Sequence, residues 1–103
     1  MRTSQEEIFG PVLSVIPFTD ENEMIREVND NPYGLSGSIW TNNIQRAWKT
    51  LRRVKSGVLS VNCNSSVHIE APFGGMKQSG WGRELGSEGL DGFLETKHVS
   101  IGL

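Results

Sequence analysis

Apolar and polar positions follow two rhythms over the first 62 residues, and the chain then loses both. Val12, Leu13, Val15 and Ile16, interrupted only by Ser14 and closed by Pro17, form a β-branched apolar run that predicts a strand. Asp20 then offers a helix N-cap, with Glu23 three residues on as the reciprocal half of a capping box. Met24, Ile25 and Val28 fall on one helical face, and Asn31-Pro32 stops the helix. Residues 35–41 predict a second strand, loosened by Ser36-Gly37-Ser38. Asn42 or Asn43 caps a second helix, in which Ile44, Ala47, Trp48, Leu51 and Val54 keep the helical period. Gly57 ends that helix, and Val58-Leu59-Ser60-Val61 predicts a third strand.

A β-α-β-α-β order predicts an α/β fold with a mostly parallel sheet and right-handed crossovers. The first strand is apolar on both faces, with Val12, Ile16 and Phe18 pointing one way and Leu13 and Val15 the other. Such a strand needs a layer on each side. Both helices of a simple right-handed winding cover the same face, so the pattern predicts a domain that is incomplete within this chain.

After Asn62 the texture changes. Residues 63–92 are rich in Gly, Ser and Asn, which predicts a long Gly-rich loop region with one short helix near residues 84–90. The chain then recovers a strand pattern, with Val99, Ile101 and Leu103 on one face and His98 and Ser100 on the other. No turn returns this terminal strand to the chain's own sheet, so it predicts pairing with a partner's edge. No internal repeat is present.

Composition narrows the function classes. The 103 residues carry a formal net charge of −2 and no basic stripe, which argues against nucleic acid as a partner. The densest basic run, Arg52-Arg53-Val54-Lys55, sits where cations complement a helix C-terminus. No apolar run approaches the ~18–20 residues that cross a bilayer, and the residues after Met1 do not resemble a signal peptide. A single cysteine, Cys63, leaves no internal disulfide and no zinc cage, and predicts a reducing, cytoplasmic compartment.

Two glycine patterns invite a phosphate-binding reading and fail it. Residues 75–80 have P-loop spacing, but Trp81-Gly82 stands where Lys-Ser/Thr should follow. Gly80-Trp81-Gly82 opens like a dinucleotide fingerprint, but Gly86 comes one residue late and no buried strand precedes it. A nucleotide-binding enzyme in its own right is therefore disfavoured.

Longer strings are more specific. Glu6-Glu7-Ile8-Phe9-Gly10-Pro11-Val12 and Pro72-Phe73-Gly74-Gly75-Met76-Lys77-Gln78-Ser79-Gly80, continued by Gly82-Arg83-Glu84-Leu85-Gly86, resemble two segments of the NAD(P)-dependent aldehyde dehydrogenases. Asn31-Pro32-Tyr33-Gly34-Leu35 and Ser56-Gly57-Val58 to Val61-Asn62-Cys63 match between them in the same order. The resemblance covers nearly the whole chain. It implies that residues 1–93 are the C-terminal part of a catalytic domain and that residues 94–103 are a terminal oligomerisation strand.

The resemblance also implies roles. Glu7 would accept hydrogen bonds from the nicotinamide-ribose hydroxyls of NAD or NADP, and Phe9 would pack on the nicotinamide side. Both fit their chemistry, since a carboxylate only accepts and an aromatic face supports a flat heterocycle. Val67 and Phe73 would line the tunnel for a small aldehyde, and His68 would be an ordinary loop residue. Cys63 lacks the Gln/Gly-rich run that precedes the family's nucleophile, so it is expected to be structural. No nucleophile motif, general-base motif or metal site is expected in the chain. The expected partners are the remainder of the dehydrogenase and further copies of it, joined through the terminal strand. The alternative is a stand-alone interaction module that docks through the terminal strand and glycine loop.

Overall fold

A computed structural model of the protein describes residues 2–64 and 67–103. Helix α1 spans Glu21–Asn29, and Asp20 caps it as the sequence predicts, its Oδ1 accepting from the Glu23 N–H at 2.7 Å. Helix α2 spans Ile44–Leu51, and of the two candidate caps Asn43 is the one used, accepting from the Arg46 N–H at 3.0 Å. Each cap satisfies one of the N–H groups that a helix start leaves without an internal partner.

The strands are short. β1 is Tyr33–Gly34, β2 is Ser36–Ile39, β3 is Val58–Val61 and β4 is Met76–Lys77. β2 and β3 pair in parallel from Ser36 opposite Val58 to Ile39 opposite Val61, with α2 as the crossover between them. At the far end of this pair Asn62 and Thr41 exchange two hydrogen bonds, each 2.9 Å long. A second, antiparallel pair joins β1 to β4, with Tyr33 opposite Lys77. The sequence gives no periodic signal for it, because two residues are too few to show alternation.

The helices run side by side in the same direction. Arg46 pairs with Glu21 at their starts. At their ends Asn29 donates from Nδ2 to the Arg53 carbonyl and accepts from the Lys55 N–H, both at 2.8 Å. Each helix contributes one residue to the small interior: Ile25 of α1 is 5% exposed and Ala47 of α2 is fully buried.

Two expectations meet a different outcome. Residues 11–18 form no ladder with any described residue, and Val12, Leu13, Val15, Ile16 and Phe18 all stand exposed. A strand that is apolar on both faces cannot form without neighbours to bond its edges and cover its faces, and the described residues supply none. The parallel sheet therefore has two strands here, in place of the three of a β-α-β-α-β order. Residues 94–103, expected to pair with a partner's edge and not with the chain's own sheet, have no ladder partner among the described residues, and Val99, Ile101 and Leu103 are exposed. The short helix of the glycine region is a 3-10 helix at Glu88–Phe93, later than residues 84–90, because Leu85 and Gly86 take left-handed backbone angles that interrupt any helix there.

The consequence is visible in the dimensions. The accessible surface is 8744 Å², where a compact monomer of this mass exposes about 5,800 Å². The radius of gyration is 18.0 Å, against about 13 Å for a compact chain of about 100 residues.

Candidate cofactor-facing site

The N-terminal arm begins with a single 3-10 turn at Arg2–Ser4, to which the Gln5 and Glu6 N–H groups add bonds to the Arg2 carbonyl at 3.0 and 3.1 Å. Two side chains fasten this turn to the end of α1. Asn31 donates from Nδ2 to the Ser4 carbonyl at 2.7 Å, and Gln5 donates from Nε2 to the Asp30 carbonyl at 2.6 Å. Within the turn Arg2 holds Glu6, Nε to Oε1, at 2.8 Å. Glu7 follows, and no described residue donates to its carboxylate.

Glu6 and Glu7 border a shallow cavity of about 670 Å³ whose lining also includes Tyr33, Lys55, Gln78 and Ser79. The glycine-rich loop is thus brought to the cavity that Glu7 faces. Gln78 donates its N–H to the Pro32 carbonyl at 3.0 Å, and the Ser79 hydroxyl accepts from the Gly34 N–H at 2.9 Å. Chemically the cavity lining offers both acceptor-only carboxylates and donors, which suits a ligand bearing several hydroxyls.

Phe9 does not join this wall. Its backbone is left-handed, with φ of 53°, and its ring is 90% exposed beside the unpaired residues 11–18. Bulky residues avoid that conformation unless something imposes it. Here the turn that follows, closed by the Val12 N–H on the Gly10 carbonyl at 2.7 Å, reverses the chain at Gly10 and leaves Phe9 projecting.

The other expected residues lie elsewhere. Phe73 is half-buried and held by two reciprocal 2.7 Å backbone bonds with Glu84. Val67 is exposed and begins the described chain after residue 64. Glu7 and Phe9 are therefore close in sequence, whereas neither Val67 nor Phe73 borders the cavity that Glu7 faces. His68 is exposed, and its carbonyl accepts from the Ala71 N–H at 3.1 Å. Cys63 is exposed, and its carbonyl accepts from the Ser60 hydroxyl at 2.7 Å. Among the described residues no group of His, Cys, Asp and Glu could hold a metal ion, and no helix is long and apolar enough to cross a membrane.

Sequence reasoning missed the junction that positions the arm. Asn29, Asn31 and Lys77 tie three distant segments together, and the only advance signal was the amide-rich turn Asn29-Asp30-Asn31-Pro32 at the end of a helix. It also missed why Gly57 and Gly74 are glycines. A Cβ on Gly57 would collide with the Gly74 carbonyl, so the glycine loop lies directly on the entry to β3.

Comparison with known proteins places these features in a larger frame. Residues 1–99 match the model described as the aldehyde dehydrogenase family. The chain is 46% identical over 99 residues to a betaine aldehyde dehydrogenase of Bacillus subtilis, covering 96% of this chain and 20% of that one. It is 45% identical over 101 residues to an aldehyde dehydrogenase of Enchytraeus buchholzi, again covering 20% of it. Among solved structures, the betaine aldehyde dehydrogenase of Staphylococcus aureus in complex with NAD+ superposes with a TM-score of 0.91 at 44% identity, over 96% of this chain and 20% of that chain. The aldehyde dehydrogenase of Mycobacterium tuberculosis complexed with NAD+ gives 0.84 at 43% identity, over 90% and 19%. The chain spans about a fifth of the length of the relatives it matches.

Proposed function

The chain belongs to the aldehyde dehydrogenase family, and on that premise we propose that it is a working segment of an NAD-dependent dehydrogenase that oxidises an aldehyde to a carboxylic acid. Within that enzyme Glu7 accepts hydrogen bonds from the nicotinamide-ribose hydroxyls, and Phe9 packs beside the nicotinamide. Val67 and Phe73 belong to the wall of the aldehyde tunnel. NAD is the cofactor chosen because both structural relatives described above are NAD+ complexes.

One observation carries the reading. Of two adjacent glutamates bordering one cavity, Glu6 is engaged by Arg2 while Glu7 has no donor among the described residues. An acceptor-only group presented in that way suits a diol. The residues fit the cofactor's ribose, and the hydride chemistry belongs to the nicotinamide itself. This chain's contribution is to bind and orient it.

The isolated 103 residues supply no nucleophile in the family's sequence context, so oxidation requires the rest of the enzyme. The exposed apolar residues of the arm and tail support this dependence. A stand-alone interaction module would close its own core, and here residues 11–18 and 94–103 are both uncovered. The terminal strand is read as pairing with another copy of the enzyme.

The test measures NADH formation with a panel of aldehydes, for the isolated chain and for the full-length enzyme that carries it. The reading expects turnover only from the full-length enzyme, with lower affinity for NAD in Glu7→Gln. Full activity from the isolated chain, or none from the full-length enzyme with any aldehyde, overturns it.

A further inference from the structure

At the end of α1, segments far apart in sequence meet through side chains. Lys77 lies at the centre of this junction. Its half-buried ammonium donates to the carbonyls of Asn29 and Asn31. Those carbonyls belong to the terminus of α1, where a cation is favoured by the helix dipole and by acceptors that lack an internal partner. The neighbours Gln78 and Ser79 bond to Pro32 and Gly34, so three consecutive loop residues are zipped to residues 29–34. Lys77 itself has a left-handed backbone, with φ of 56°. A non-glycine residue stays in that conformation where its surroundings over-determine it.

The same turn holds the arm. Asn31 uses its carbonyl for Lys77, its Oδ1 for the Tyr33 N–H at 2.9 Å, and its Nδ2 for the Ser4 carbonyl at 2.7 Å. Gln5 adds its bond to Asp30, the residue between the two carbonyls that Lys77 binds. Glu7 lies three residues beyond Ser4. We propose that Lys77 is a positioning residue for the cofactor site: by pinning the carbonyls of Asn29 and Asn31 it fixes the turn that anchors the arm, and so sets where Glu7 presents its carboxylate. This rests on the assignment of Glu7 to the nicotinamide ribose. The glycine loop thereby acts on cofactor binding without touching the cofactor.

The path from Lys77 to Glu7 is short and polar. Removing the ammonium leaves two carbonyls at a helix end without their charged donor, and the turn is then free to shift. Arginine keeps the charge and enough reach to serve one of the carbonyls. Methionine keeps most of the length and none of the charge.

The experiment measures Kd for NAD by calorimetry, together with kcat and the KM for aldehyde, in the full-length enzyme carrying this segment. Lys77→Met is expected to weaken NAD binding roughly tenfold, about the effect of losing one charge-assisted hydrogen bond at ~1.4 kcal/mol per tenfold. The aldehyde KM should stay within about twofold, and Lys77→Arg should recover most of the loss. The double variant Lys77→Met with Glu7→Gln should bind NAD no worse than Glu7→Gln alone, because the lysine acts through the glutamate. If Lys77→Met does not fold, Asn31→Asp serves instead. It keeps the acceptor for Tyr33 and sets a carboxylate oxygen against the Ser4 carbonyl, and it should show the same non-additivity with Glu7→Gln. Additive losses in the double variant overturn this proposal alone. An equal rise in both substrates' constants with a lowered Tm that arginine does not rescue overturns it too, since that marks a merely structural lysine. A silent Glu7→Gln overturns the cofactor assignment and this proposal together.

Discussion

Arg2 donates from Nε to Glu6 Oε1 at 2.8 Å, within a turn that leaves the adjacent Glu7 carboxylate without a donor among the described residues. The pair is largely solvated at both ends, so it contributes at most a few tenths of a kcal/mol to stability. Its value is conformational, because it turns one glutamate back onto the arm.

The two glutamates should therefore differ sharply in the full-length enzyme. Glu7→Gln replaces an acceptor-only carboxylate with an amide, one end of which can only donate, and should cost on the order of 10–150-fold in NAD affinity or turnover. Which of the two suffers depends on whether the contact tightens as hydride is transferred. Glu6→Gln should change either by less than about twofold. Equal effects at both positions in steady-state kinetics would mean that the acidic pair acts only as general negative charge.

Expressed alone, the 103-residue chain should oxidise no aldehyde with NAD or NADP. Cys63 lies exposed at the exit of β3 and lacks the Gln/Gly-rich run that precedes the family's nucleophile. Turnover that survives repurification and disappears in Cys63→Ala would reverse both statements.

The tail should mediate association. Ile101 is 81% exposed in a segment with no ladder partner among the described residues. Ile101→Lys should shift the full-length enzyme to smaller assemblies in light scattering. Unchanged mass for this variant removes the interface role from residues 94–103.

Gly57 should tolerate no side chain. Its Cβ would enter the Gly74 carbonyl, whereas a Cβ on Gly82 meets no atom within 4 Å. Overpacking of backbone on backbone has no flexible partner to yield, so Gly57→Ala should lower stability by about 3 kcal/mol. Gly82→Ala should cost well under ~1 kcal/mol. Thermal unfolding of the full-length enzyme compares them directly, and equal Tm values for the two variants would show that the loop does not rest on β3.

What the sequence made legible depended on how local the cause was. Asp20 and Asn43 announced their helices because a cap needs only a side-chain acceptor three residues before its N–H partner. β2 and β3 were readable as strands, and their parallel pairing follows from the helix between them. The run from Val12 to Ile16 was equally strong as a pattern, yet it forms no ladder, because pattern records which faces want cover and not whether cover is present. The same pattern correctly indicated that the domain is incomplete within this chain. Glu7 was singled out through its surrounding string, and no periodicity would have marked it. Lys77 was passed over inside a glycine-rich loop, since its partners are backbone carbonyls 46 and 48 residues away and leave no side-chain signature.

The parallel β2–β3 pair has a consequence for the order in which the polypeptide acquires structure. Its two strands are joined by one helix and short connections, so the loop that must close is small and the entropy it costs is modest. Asn62 and Thr41 then lock its far end. Residues 11–18 and 94–103 have no such local route and must wait for surfaces that other residues provide. In amide hydrogen exchange the ladder from Ser36 to Val61 should behave as one early, protected foldon. The two flanking segments should exchange at nearly solvent rates in the isolated chain, and more slowly in a full-length enzyme whose other residues cover them.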